Sequence, residues 1–204
     1  MSTVNYESEF WNQRFGAEEY TYGTEPNIFF KESIDKLSPG KILLIGEGEG
    51  RNAVYAAKLG WEVDAVDFST SAKFKAMKLA EQNNVKINYM ISALDEFIPT
   101  KNYYDAVGII FVHLSPSLRV KVNQQLINCL KPGGKILMEV FSKEQLGKTT
   151  GGPQDISMLY SIDDINKSFP DLKTILLKEE TVYLSEGKHH SGEGSVVRFI
   201  GQKI

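Results

Sequence analysis

The sequence holds a single cysteine, three histidines and seven prolines in 204 residues. One cysteine excludes a disulfide framework within the chain. Cys129 lies in the apolar run Leu126–Ile127–Asn128–Cys129–Leu130, where a packed thiol is the expected role rather than a reactive one. Adjacent His189 and His190 have no cysteine or further histidine nearby, so no metal site is expected. Basic residues are not in excess: 23 Lys and Arg stand against 26 Asp and Glu, for a net charge of −3. A chain that tracks a phosphate backbone normally carries a basic stripe, and none is present, so nucleic acid is not the expected partner. No apolar run approaches the roughly 20 residues that cross a bilayer. The polar, acidic start from Ser2 to Glu9 lacks the apolar region of a secretory signal. No membrane partner and a cytoplasmic location are the expectations.

What is present is an alternation of strand-like and helix-like stretches, which predicts a largely parallel sheet with helices on both faces. Ile42 to Ile45 is an apolar run too short for a helix and stopped by glycines. Asn52 to Leu59 then follows with Val54, Ala57 and Leu59 on one helical face. Val63 to Val66 reads as the second strand and Ser69 to Gln82 as a helix capped by Ser69 or Thr70. Ile87 to Ile91 and Asp105 to Val112 read as the third and fourth strands. Ser115 is expected to cap a helix that starts at Pro116 and stops before Pro132–Gly133–Gly134, followed by a fifth strand from Lys135 to Phe141. Ser161 to Phe169 reads as a helix with Asp163 and Asp164 at its positive end. Leu172 to Leu184 and Ser195 to Lys203 are joined by ten residues, too few for a crossover helix, so they are predicted to form an antiparallel hairpin.

The most informative segment is Gly46-Glu47-Gly48-Glu49-Gly50-Arg51-Asn52, between the first strand and the first helix of this alternation. Glycines there permit a tight turn and close approach of a ligand. Asp67 ends the second strand, where a carboxylate can accept hydrogen bonds from both ribose hydroxyls. The pair indicates an adenosine-containing ligand. Glu47 and Glu49 disfavour a pyrophosphate at the helix start, and Arg51 stands where the last glycine of a dinucleotide loop would be. A cationic sulfonium donor suits such acids better. A solvated surface role is the competing reading for both glutamates.

These residues, with Tyr104-Asp105-Ala106-Val107 and Leu130-Lys131-Pro132-Gly133-Gly134, resemble the successive motifs of class I S-adenosylmethionine (SAM)-dependent methyltransferases. Outer motifs resemble the tellurite-resistance and thiopurine methyltransferase-like branch. They are Phe10-Trp11-Asn12-Gln13-Arg14-Phe15, Tyr22 to Asn27, His113-Leu114-Ser115-Pro116, Gln145-Leu146-Gly147, Gly151-Gly152-Pro153, and Glu186-Gly187 with His190 and Gly192. The resemblance implies an α/β, Rossmann-like domain over residues 1–204. Cap helices would occupy 1–38, and a seven-stranded, mostly parallel sheet with an antiparallel C-terminal hairpin would occupy 39–204. It implies SAM as cofactor, with Gly46, Gly48 and Gly50 under its methionine part. Asp67 would take the ribose, Phe68 would lie beside the adenine, and Ser92-Ala93-Leu94 would flank it. Two positions depart from the pattern: Leu44 replaces the acid two residues before the first glycine, and Ser92 and Ala93 stand where an acid is common.

Methyl transfer from a sulfonium needs alignment and exclusion of water more than an added catalyst. The residues expected at the carboxyl ends of the strands are Tyr22 as a lid over SAM, and Phe111 and His113 after the fourth strand. Gln145 to Pro153 and the hairpin tip with His190 should face them. His113 and His190 are the candidate catalytic groups, His113 first, with a hydrogen-bonded structural histidine as its alternative. Arg51, Gln145 and Tyr22 are expected to meet a small-molecule acceptor, Arg51 as the partner of an anionic one; a thiol or a chalcogen oxyanion is implied by the branch. Trp11 and Phe15 are read as packing and Arg119 as a surface charge. The alternatives are a non-catalytic SAM-binding protein and an NAD(P)-dependent oxidoreductase.

Overall fold

A computed structural model describes residues 3–204, with side chains from Glu9 onward. Two helices, α1 (Thr3–Phe15) and α2 (Ile28–Ile34), precede β1 (Lys41–Ile45). The alternation then runs α3 (Arg51–Lys58), β2 (Glu62–Asp67), α4 (Thr70–Gln82), β3 (Asn88–Ile91), β4 (Tyr104–Ile110), α5 (Pro116–Cys129), β5 (Leu130–Phe141), α6 (Ile162–Ser168), β6 (Leu172–Ser185) and β7 (Ser191–Lys203). The seven strands form one sheet in the order β3-β2-β1-β4-β5-β7-β6. β1 to β5 pair in parallel, and β7 is antiparallel to both β5 and β6.

The apolar run Ile42–Ile45 explains the layering. Leu43 and Ile45 point into one core with Val122, Leu126 and Ile165 of α5 and α6. Ile42 and Leu44 point into the other, with Phe30, Val54 and Leu79 of α2, α3 and α4. A central parallel strand is covered on both faces, which is why its sequence runs apolar without alternation. Leu44 is 1% exposed. A Cβ on Gly108 of the neighbouring strand would meet Leu44 Cδ2 at 2.3 Å, so the leucine fills the space over that glycine. Among the described residues no helix is long and apolar enough to cross a membrane.

Four local expectations change. The fourth strand ends at Ile110, and Phe111 adopts φ 54°, an uncommon conformation for a bulky side chain that turns the chain out of the sheet. β5 begins at Leu130 rather than Lys135, because the chain passes directly from α5 into the sheet and absorbs Lys131–Gly134 in a register shift opposite Tyr104 and Ala106. Ser115 occupies the N-cap of α5 but makes no side-chain cap hydrogen bond, whereas Ser69 and Ser161 do cap α4 and α6. The hairpin connection is residues 186–190 rather than ten residues, since Gly192 and Gly194 pair with Leu184 and Val182.

Candidate functional site

The loop after β1 is held in a form only glycine accepts easily. Gly46 and Gly50 have φ 56° and 88°, and a Cβ on Gly50 would lie 2.6 Å from Ala76 Cβ. Gly50 is the N-cap of α3 and has no side chain to cap it. Glu47 does so instead: its Oε1 accepts from the Ala53 amide at 2.7 Å. Burial pushes the Glu47 carboxyl up to about 7. Asp67 is buried beside the loop and accepts from the amides of Gly48 at 3.0 Å and Ser69 at 2.9 Å. Burial raises its carboxyl as well, with those amides opposing the shift.

The other two charged loop residues hold a lid. Glu49 is 4% exposed, pairs with Lys75 at 2.7 Å and accepts from the amides of Thr21 and Tyr22 at 2.8 and 3.4 Å. Its expected alternative, a solvated surface acid, is corrected by this burial, and Glu47 is likewise buried. Arg51 is buried too. Its guanidinium donates to the Tyr22 carbonyl at 3.2 Å and pairs with Glu186 at 2.8 Å. The expected partner of an anionic acceptor is thus already partnered by a carboxylate of the hairpin tip. Tyr22 lies over the cavity with its ring 4.5 Å from that of His190.

Across the cavity, the ends of β4 and β5 bring aromatic rings together. Phe111 packs on Phe141 at 4.6 Å and on His190 at 4.5 Å. His113 has both nitrogens engaged: Nδ1 lies 3.1 Å from the Met158 carbonyl, and Nε2 accepts from the Phe141 amide at 3.3 Å. Burial, with Arg119 acting in the same direction, holds its pKa at about 4. His113 is therefore a neutral imidazole with both ring nitrogens hydrogen-bonded. His190 is 5% exposed, not a surface residue. Its Nδ1 lies 3.5 Å from Glu186 Oε2, and among the described residues no hydrogen bond reaches its Nε2. Gln145 does not face the cavity. It is 1% exposed and ties the following loop, donating to Thr150 and Gly151 and accepting from the Ser195 amide.

These parts enclose one cavity of about 780 Å³, within the range of small-molecule sites, roughly 300–1,000 Å³. Its walls include Gly46, Glu47, Gly48, Asp67, Phe68 and Leu94 at one end. Phe111, His113, His190 and the glycine-rich loop from Gly147 stand at the other, with Tyr22 and Arg51 also lining the space. Gly50 and Ala93 are not in the wall: Gly50 packs on Ala76, and the Ala93 carbonyl accepts from Glu96, Phe97 and Ser92. Trp11 and Phe15 stack at 5.3 Å and also reach the wall. Arg119, expected on the surface, is 7% exposed and lies 3.8 Å over the Tyr160 ring. Cys129 is fully buried, and burial pushes its thiol up to about 12, as a packed thiol requires. Among the described residues there is no cluster of three or more His, Cys, Asp or Glu suited to a metal.

Sequence reasoning missed Arg14, Asn27 and Glu139. Arg14 lines the cavity, its guanidinium 4.7 Å over the Phe10 ring, with no carboxylate partner among the described residues. Asn27 donates to Glu139 at 2.6 Å and to Glu186 at 2.9 Å, and its own Oδ1 caps α2. Glu139 in turn pairs with Arg198. Asn27 had no local signal as a hub, because these partners lie 112 and 159 residues away.

The site discriminates between ligands. A pyrophosphate needs the free amides of a helix start, but here Glu47 already occupies the Ala53 amide and Asp67 the Gly48 amide. The loop thus offers carboxylates where a dinucleotide would place negative charge. A glycine cradle with buried acids fits a cationic adenosyl ligand, which Gly46, Gly48, Asp67, Phe68 and Leu94 would hold.

The chain therefore has the Rossmann-like fold of the class I SAM-dependent methyltransferases, a seven-stranded mixed sheet flanked by helices. Residues 42–134 match the model of the methyltransferase domain family. A ubiquinone biosynthesis O-methyltransferase of Rickettsia akari (strain Hartford) is 32% identical over 117 residues, covering 56% of this chain and 45% of that one. The chain spans about half the length of the curated relatives it matches. Among solved structures, TehB from Haemophilus influenzae aligns with a TM-score of 0.73 at 15% identity, over 97% of this chain and 67% of that one. A protein solved in work on conversion of a disulfide bond into a thioacetal group during echinomycin biosynthesis aligns at 0.74 with 15% identity, over 98% and 92%. At these identities the structural likeness speaks for the fold.

Proposed function

We propose that the protein transfers a methyl group from SAM to a small-molecule acceptor held in the same cavity. The observation that carries this reading is continuity: the glycine loop and Asp67 open into the space walled at its far end by Phe111 and His190. When bound, SAM supplies an already activated methyl group. The chain's residues then have to hold two ligands in line and keep water out. Tyr22, fixed from below by Glu49 and Arg51, covers the space. Arg14 is the cation suited to the carboxylate of the donor's amino-acid part. His190, rather than His113, is the imidazole with a nitrogen left for the acceptor. The relative's name suggests an oxygen acceptor, and the outer motifs suggest a thiol or a chalcogen oxyanion within a tellurite-resistance-like branch; all of these are small enough for the cavity.

Calorimetric titration with S-adenosylhomocysteine tests the proposal. Tight binding is expected, and Asp67→Ala should weaken it more than tenfold, because a buried ribose loses its acceptor. Absence of binding, or NAD binding in its place, overturns the reading.

A further inference from the structure

The acceptor end of the cavity is rich in aromatic rings and poor in available charge. Among the described cations that line the cavity, Arg51, Lys148 and His113 are partnered or neutral, and Arg14 has no carboxylate partner. Arg51 is paired with Glu186. Lys148 of the glycine-rich loop is paired with Glu193. His113 is neutral with both nitrogens engaged. Arg14 stands over Phe10 and Trp11 and donates to the Tyr22 hydroxyl at 3.4 Å. With Arg14 taken up by the carboxylate of the bound donor, as proposed above, an oxyanion entering this space would be stripped of water with no further unpaired cation beside it.

One polar group there is unspent. The Nδ1 edge of His190 faces Glu186, whose Oε2 is shared with Arg51 and whose Oε1 accepts from Asn27. Burial alone would raise the Glu186 carboxyl, but the His190 hydrogen bond and the Arg51 guanidinium outweigh it and hold it at about 2. A carboxylate fixed in this way selects the imidazole tautomer with its proton on Nδ1 and leaves the Nε2 lone pair free. The 3.5 Å separation is long, as catalytic hydrogen bonds often are before the acceptor is bound. The charged and titratable groups around the ring are Glu186 and His189 of the tip, Arg51 of α3, Tyr22 of the lid and His113 after β4. Burial lowers the pKa of the imidazole, Glu186 opposes the shift, and Arg51 adds to the lowering. The loop meets the opposite ring edge at Gly151, where a Cβ would lie 2.7 Å from His190 Cδ2 and 3.0 Å from its Nε2, so the glycine leaves space beside that nitrogen.

Resting on the methyltransferase reading, we infer that Glu186 is a positioning residue that makes His190 the proton acceptor, and that the methyl acceptor enters as an uncharged X–H nucleophile of thiol or phenol type rather than as an oxyanion. In the transfer, the lone pair on X forms the bond to the methyl carbon as the carbon–sulfonium bond breaks. That bond's electron pair stays on sulfur, and the X–H proton passes to His190 Nε2 and then to water. The resulting imidazolium lies against Glu186.

Two readouts test this. The first is long-range ¹H–¹⁵N spectra of histidine-labelled protein with S-adenosylhomocysteine bound, the rings assigned by single substitution. They should show His190 neutral at pH 7.5 with its proton on Nδ1; a proton on Nε2, or an imidazolium, overturns the inference. The second is transfer to four acceptors: benzyl mercaptan and catechol, which arrive protonated, 4-nitrothiophenol, which arrives ionised, and selenite. A protonated acceptor should be methylated and selenite should not. H190N should slow the protonated acceptor at least about 100-fold and the ionised thiolate less than about tenfold. E186Q should lower kcat about tenfold with KM within twofold, and R51Q/E186Q, which removes both members of the ion pair, should not restore it. Equal losses on both acceptor types, recovery in the double variant, preference for selenite, or no turnover with any protonated acceptor overturns the inference while bound S-adenosylhomocysteine leaves the methyltransferase reading standing. Failure to bind S-adenosylhomocysteine removes both.

Discussion

The two ends of the cavity are built by different means. The cofactor end is a backbone object: residues 46–50 and Asp67 lie within one β-α-β stretch, and its shape comes from left-handed glycines and amide hydrogen bonds. The acceptor end is a side-chain object. Its parts come from the lid, the ends of β4 and β5, the loop after β5 and the hairpin tip, and they are joined through Asn27, Glu139 and Glu186. A local backbone motif carries over between proteins of one fold, whereas a network spanning the sequence can be rebuilt residue by residue. On the proposed function, the difference would put shared chemistry at one end and selectivity at the other.

The comparison breaks most visibly at Gly50. Gly50→Ala places a Cβ against Ala76 in a left-handed turn, so stability should fall by about 3 kcal/mol and S-adenosylhomocysteine affinity more than 100-fold; urea denaturation and calorimetry measure both. An unperturbed loop would show that the cofactor end tolerates side chains.

The two ends should also respond to pH in opposite senses. Glu47 has its folded pKa raised from 4.5 to about 7, so the stability it contributes is complete below pH 4.5 and lost as pH rises through 7. His113 has its folded pKa lowered from 6.5 to about 4, so its contribution is complete above pH 6.5 and lost as pH falls through 4. Each should be worth about 3 kcal/mol across its window. Urea midpoints from pH 4 to 8 in E47Q and H113Q should lose the alkaline and the acid slope respectively; a shared slope would mean that the ends are not separable.

The smallest effect is expected at Gln145. Gln145→Ala removes three hydrogen bonds that hold Thr150, Gly151 and Ser195, so amide exchange in 147–153 should speed up and stability fall by about 1–2 kcal/mol. S-adenosylhomocysteine affinity should stay within twofold, and a larger loss would join the two ends energetically.

Legibility in the sequence follows the same division. Strand and helix order and the antiparallel hairpin were readable because each rests on local apolar patterning and short connections, and the glycine loop and Asp67 stood out because each ends a strand. Arg119 was misread, and the partners of Glu49, Arg51 and Gln145 were not foreseen, because Tyr160, Lys75, Glu186 and Ser195 belong to other elements. A charged residue in a polar-looking stretch carries no local sign that a distant carboxylate or ring will bury it. His113 shows the same limit: its backbone partners, Met158 and Phe141, exist only once the loop has closed on β5.

The placement of β7 between β5 and β6 has a consequence for the chamber. β6 precedes β7 in the chain, yet it reaches the sheet only through β7. Glu186 and His190 sit at the tip of that hairpin, and Arg198, the partner of Glu139, lies on β7. Two walls of one chamber thus depend differently on the sheet: the glycine loop on the β1–β2 pairing, the histidine on the pairing of β7 with β5.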